Sequence, residues 1–212
     1  LATVFPFIRK INIPVTRDQA MLLMMALNEL LLGLETYLAH LISGTIVPYE
    51  YFPIIFGPVA GVILLFAGLI SRRNRNFATV IALITFFASI IIGLLGAYFH
   101  LLRGLLPNAS IEHMFSVSLL FWAPPFLGPL TFVLVGLVGI SSVWLEDTGD
   151  SGILNLFGKK RLVMPYSKTR AFFLMVALAS LATTISSVLD HARTDFSNPW
   201  LWVPTGIGFL AV

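Results

Sequence analysis

Cysteine is absent from the chain and charge is scarce. The first absence excludes disulfides, thiolate-ligated iron–sulfur clusters, thiolate metal sites and cysteine nucleophiles together, and leaves the redox state of the compartment unreadable. Only 11% of the 212 residues are charged, whereas a soluble domain carries about a quarter. With 58% apolar residues and a mean hydropathy of +0.92, the chain holds more apolar surface than a soluble core can bury. Lipid solvates such surface, so composition predicts an all-α fold, a polytopic transmembrane helix bundle in contact with the bilayer. Also missing are a phosphate-binding loop, H-E-x-x-H, G-x-S-x-G, a dinucleotide fingerprint and any internal repeat. Nothing supports nucleic-acid binding. The chain begins at Leu1 and stops at Val212 inside an apolar run, and both ends are expected to be cropped.

The apolar runs place about six spans in a single membrane domain. Residues 1–15, with Arg9 and Lys10 beside aromatics and prolines, read as an interfacial lead-in. Thr16-Arg17-Asp18-Gln19 has the form of a capping box and opens a first span over 18–42, which Ser43-Gly44 ends. A second span covers 53–70 and carries the small-xxx-small pair Gly57 and Gly61, which permits close helix contact. The basic turn 71–76 leads into a third span over 77–102. From 114 to 145 the chain is apolar throughout, about 48 Å if it were one straight helix, too long for an ordinary span. Ala123-Pro124-Pro125 and Gly128-Pro129 break it near 124–129, giving either an outer half-helix followed by a span or one strongly kinked span. A fifth span covers 170–189, and a sixth, over 199–212, is incomplete.

Charge then orients the bundle. The lead-in, the 71–76 turn and the polar 146–169 segment share one side under alternation, and with the adjoining Arg17 and Arg170 they hold all the Lys and Arg residues except Arg103 and Arg193. Cytoplasmic loops carry such an excess, so the N-terminus is expected in the cytoplasm, in a bacterial-type inner membrane. The basic 159–161 cluster serves as a topology signal or as a contact for anionic lipid. The histidines divide the other way: His40, His100, His113 and His191 all fall at the outer boundary.

Imidazole is the commonest biological metal ligand, so four histidines at four helix ends could surround one or two ions, iron or copper. His40 and His100 lie at similar depth on different spans and could instead be the axial ligands of a b-type haem. Against this stands the plainer reading in which interfacial histidines reach toward water. Two carboxyls lie inside the first span, Glu29 near mid-membrane and Glu35 nearer the end. Glu29 is about 16 Å along the helix from His40, too far to share its ion. Proton handling or a quinone contact is one role for these groups. A carboxyl merely satisfied by Asn28 or by a Ser or Thr of another span is the other.

Function follows as three readings. The leading one is a membrane subunit associated with redox chemistry, holding a metal ion or haem at the outer face. The second is a non-catalytic accessory subunit whose polar groups are met by other membrane subunits of a larger complex. The third, resting on the Pro-broken helix, is a small-solute or ion transporter.

Overall fold

The structure is a computed structural model that describes residues 14–44, 46–121, 126–144, 146–155, 161–192 and 195–212. The Ala123-Pro124-Pro125 break, Arg9, Lys10, Lys159, Lys160 and Arg193 lie outside the described residues.

Helix α1 (Arg17–Ile42) begins where Thr16 accepts the Gln19 backbone N–H at 3.2 Å, satisfying a donor that the first turn leaves open. The Gln19 side chain does not complete a capping box. Its amide donates instead to the Gly68 carbonyl at 3.1 Å, near the end of α2 (Tyr51–Ile70). Ser71 donates to the same carbonyl at 2.7 Å, so the buried end of α2 is tied to the buried start of α1. Asn74 caps α3 (Arg75–Arg103) by accepting the Phe77 N–H at 3.1 Å. A short α4 (Val117–Phe121) precedes α5 (Leu127–Val143). The polar segment that follows folds into a two-stranded antiparallel hairpin, β1 (Ile153–Asn155) against β2 (Arg161–Val163), with Leu154 facing Leu162. Helices α6 (Lys168–Ala192) and α7 (Trp202–Ala211) complete the chain.

The chain is thus mostly helical, and the hairpin is an addition to the all-α expectation. Among the described residues, four helical stretches are long and apolar enough to cross a membrane: Arg17–Ile42, Pro48–Ile70, Arg75–Arg103 and Lys168–Leu189. This is fewer than the six spans read from hydropathy, because α5 has 17 residues and α7 has 10.

Glycine sets how closely the helices approach. In lipid, helices gain little from hiding apolar surface, so close packing must supply the attraction. A Cβ at Gly57 would lie 2.5 Å from the Gly33 Cα and 2.9 Å from the Glu29 carbonyl, so α1 and α2 meet backbone to backbone. Gly61 continues that seam against the Ala26 carbonyl. A second seam joins α3 to α5, where Gly93 lies against Val133 and Gly136 against the Phe86 carbonyl. Both pairs are antiparallel, since residue numbers rise along one helix as they fall along the other. Leu22, Ala26, Leu64, Ala82, Phe86 and Val138 fill the common core between the seams.

Ion pairs bring the starts of α1, α3 and α6 together, because Asp18 meets both Arg75 and Lys168. These three helices therefore run one way, and α2 and α5 run the other. One end of the bundle collects the starts of α1, α3 and α6, and the opposite end collects their last turns.

Candidate functional site

At the latter end, α1 carries His40 in its last turn and α3 carries His100 in its own. Their imidazole centroids are 6.3 Å apart, with ring planes at 78°. Two imidazole nitrogens each about 2.0–2.1 Å from one ion would set opposed ring centroids about 6.4 Å apart, and closer if angled. The pair is thus within the span of a single centre. The Glu50 carboxylate lies 3.3 Å from His40 Nδ1, with both side chains largely buried. An acceptor on Nδ1 holds the proton there and leaves the Nε2 lone pair for an electrophile.

Local sequence explains why Glu50 reaches this position. Pro48 starts a short 3-10 turn, Pro48–Glu50, that directs the chain into α2. The Val47 N–H donates to the Glu50 carboxylate at 2.9 Å and fixes its orientation. Tyr49 stacks on Phe99 at 5.1 Å, pinning the turn to α3 one residue before His100. Glu50 is not among the site residues expected from the sequence. The available signal was a carboxylate in a proline-bounded turn only ten residues beyond His40.

The other two histidines share this end without joining the ring pair. His113 is exposed and closes the 3-10 turn Ile111–His113, in a loop held to α3 by the Ser116 N–H on the Gly104 carbonyl at 2.8 Å. His191 lies in the last turn of α6 with its ring edge-on to Phe196 at 6.2 Å, and Phe196 stacks on Trp202 at 4.4 Å. Among the described residues no group of three or more His, Asp or Glu side chains is spaced to hold a metal ion. What the fold assembles is a pair with a carboxylate behind it.

The two carboxyls of α1 part company. Glu29 is 0% exposed, and neither carboxyl oxygen has a hydrogen-bond partner among the described residues. The hydroxyl of Ser89 lies against it but donates to the Phe132 carbonyl at 2.9 Å. Glu35 faces outward on α1, on an exposed stripe with Asn28, Leu31, Leu38 and Ile42. Asn28 turns its amide back to the Met24 carbonyl at 2.9 Å, so it does not satisfy Glu29.

The opposite end carries a second polar assembly that sequence reasoning took only for caps and topology signals. Lys168 is 1% exposed, with its Nζ 2.9 Å from Asp18 Oδ1; Arg75 lies 2.8 Å from Asp18 Oδ2. Glu146, its side chain 3% exposed, accepts backbone N–H groups from Asp150, Gly152 and Lys168 at 2.8–3.0 Å. Its carboxylate so caps α6 and closes the loop before the hairpin, where Gly152 takes a positive φ of 72°. Arg17 joins the assembly by a 2.6 Å pair with Asp150. The Thr169 hydroxyl, also bonded to Asp150 at 2.5 Å, and the Arg17 guanidinium together hold that carboxyl below its ordinary 3.8, against a smaller opposing effect of burial.

No known family model, curated protein or solved structure matches this chain.

Proposed function

We propose that the chain is an integral membrane subunit associated with redox chemistry, binding iron, copper or a b-type haem through His40 and His100. The reading takes the bundle as six spans with a cytoplasmic N-terminus in a bacterial-type inner membrane, so that the histidine end faces outward. It rests on one observation: two imidazoles from different helices lie 6.3 Å apart, one of them with its Nδ1 3.3 Å from a half-buried carboxylate. His113 and His191, at the same end, are available as further donors. Glu29 and Glu35 are the proton-handling groups, since carboxyls inside an apolar span are costly to keep without a role. An optical spectrum with elemental analysis of the purified protein tests this. A Soret band or stoichiometric iron or copper supports the reading, and the loss of that signal in His40→Ala assigns the ligand. Neither signal in protein prepared with haem and both metals supplied overturns it.

The exposure of Glu35 favours a second reading, an accessory subunit in a larger membrane complex. A carboxyl facing lipid on the outer stripe of α1 is costly, and a partner helix offering a donor would relieve it. Purification in mild detergent decides: specific subunits that co-purify, and are lost from Glu35→Leu, support it. A monodisperse monomer counts against it.

A further inference from the structure

The cationic end of the bundle holds a pocket of about 400 Å³, and its lining differs from that of an ion-pair lock alone. Arg17, Arg72, Arg75 and Lys168 line it against the carboxylates of Asp18 and Glu146. Cations still outnumber carboxylates when Asp150, which pairs with Arg17, is counted as well. Asp18 is the one carboxylate among the described residues paired with both Arg75 and Lys168, while Arg17 is shared among Asp18, Glu146 and Asp150. An ammonium has three donors, and that of the buried Lys168 lies 2.9 Å from Asp18 Oδ1 with no hydrogen-bond partner of good geometry among the described residues. Among the described residues Arg72 has no carboxylate partner; its guanidinium donates to the Pro14 carbonyl. The starts of α1, α3 and α6 converge here too; those of α1 and α3 are capped by the neutral Thr16 and Asn74 and each add roughly half a positive charge, while Glu146 answers that of α6.

We propose that this pocket binds a phosphate group, with Arg72 and Lys168 as its principal donors. Backbone amides at helix starts and guanidinium forks suit phosphate oxygens in charge and geometry. The lining is mixed, and Trp144 gives it one apolar wall. Its place at the ends of three spanning-length helices sets it at headgroup depth if the bundle crosses a bilayer. The phosphate can therefore belong to an anionic phospholipid or to a soluble phosphate compound. The site is independent of the histidine pair, which lies at the other end.

The test uses the full chain purified with equal phosphatidylglycerol and phosphatidylcholine, and reads retained lipid by native mass spectrometry. In parallel, unfolding midpoints are taken in inorganic phosphate and in chloride at matched ionic strength. A headgroup site retains phosphatidylglycerol over phosphatidylcholine, and Arg72→Gln lowers that preference about fivefold. Arg72→Lys keeps most of the preference, and Arg103→Gln, at the opposite end, leaves it unchanged. A soluble-phosphate site shows instead as a midpoint raised by phosphate over chloride and reduced in Arg72→Gln, without lipid preference. The proposal is overturned if the two lipids are retained equally and phosphate acts as chloride does. It is overturned equally if Arg72→Gln and Arg103→Gln weaken binding alike, because diffuse surface charge then explains it.

Discussion

Asp18 is the residue on which the cationic end depends. Its two oxygens meet Lys168 and Arg75 at 2.9 and 2.8 Å, and Lys168 has almost no access to solvent. Removing one partner of such a pair strands the other charge, which costs about 3 kcal/mol or more. Asp18→Asn is therefore expected to lower the unfolding midpoint in detergent by several degrees. Lys168→Met, which leaves Asp18 with two arginines, is expected to cost less; equal losses would mean that desolvation of Lys168 is not the cause. Asp150 behaves differently because it is exposed. With its carboxyl held below 3.8 in the folded state, its contribution is complete above that value and disappears as pH falls through the lowered one. Acid-unfolding curves of the parent and Asp150→Asn should differ at neutral pH and converge at the acid end. A constant offset at every pH would exclude Asp150 as the source. Neither residue was legible as part of an assembly in the sequence, since charge order along a chain does not reveal which helix starts meet. Thr16 was legible, because a hydroxyl before an apolar run has a local role.

At the scale of elements, two glycine seams decide the packing. The three atoms nearest a Cβ at Gly57 are all α1 backbone, within 2.9 Å, so a methyl there would force α1 and α2 apart. Gly57→Ala is expected to lose about 2–4 kcal/mol or to misassemble, whereas Gly206→Ala, with open space at its Cβ, is expected to change stability by no more than about 1 kcal/mol. Thermal unfolding followed by tryptophan fluorescence compares the two; similar values would mean that the seam does not limit packing. The Gly57 and Gly61 pair was visible in the sequence as a close-contact signal, but its partner Gly33 was not, because periodicity gives a face and not its neighbour. The long apolar helices were legible because apolar length is itself the signal. The hairpin Ile153–Asn155 with Arg161–Val163 was hidden, since two three-residue strands inside a polar segment are too short to show alternation.

For the whole molecule, antiparallel packing sorts chemistry to the two ends: histidines at one, an ion-paired cationic pocket at the other. The division by residue type was readable from alternating spans, and the meeting of His40 with His100 was among the pairings the sequence allowed. Glu50 was not, because it depends on a proline turn folding back over α1. Its carboxylate lies 3.3 Å from His40 Nδ1, so under the proposed function Glu50→Gln should weaken metal or haem binding about 10–100-fold while leaving stoichiometry unchanged. An unaltered affinity would remove Glu50 from the site.

The most direct measurement is a parallel titration of the purified chain and its His40→Ala, His100→Ala and His113→Ala variants with iron, copper and haem. The account predicts one equivalent bound per chain for one of these, lost in His40→Ala and in His100→Ala and retained in His113→Ala. No saturable binding by the parent chain, or equal binding by all four proteins, would contradict it.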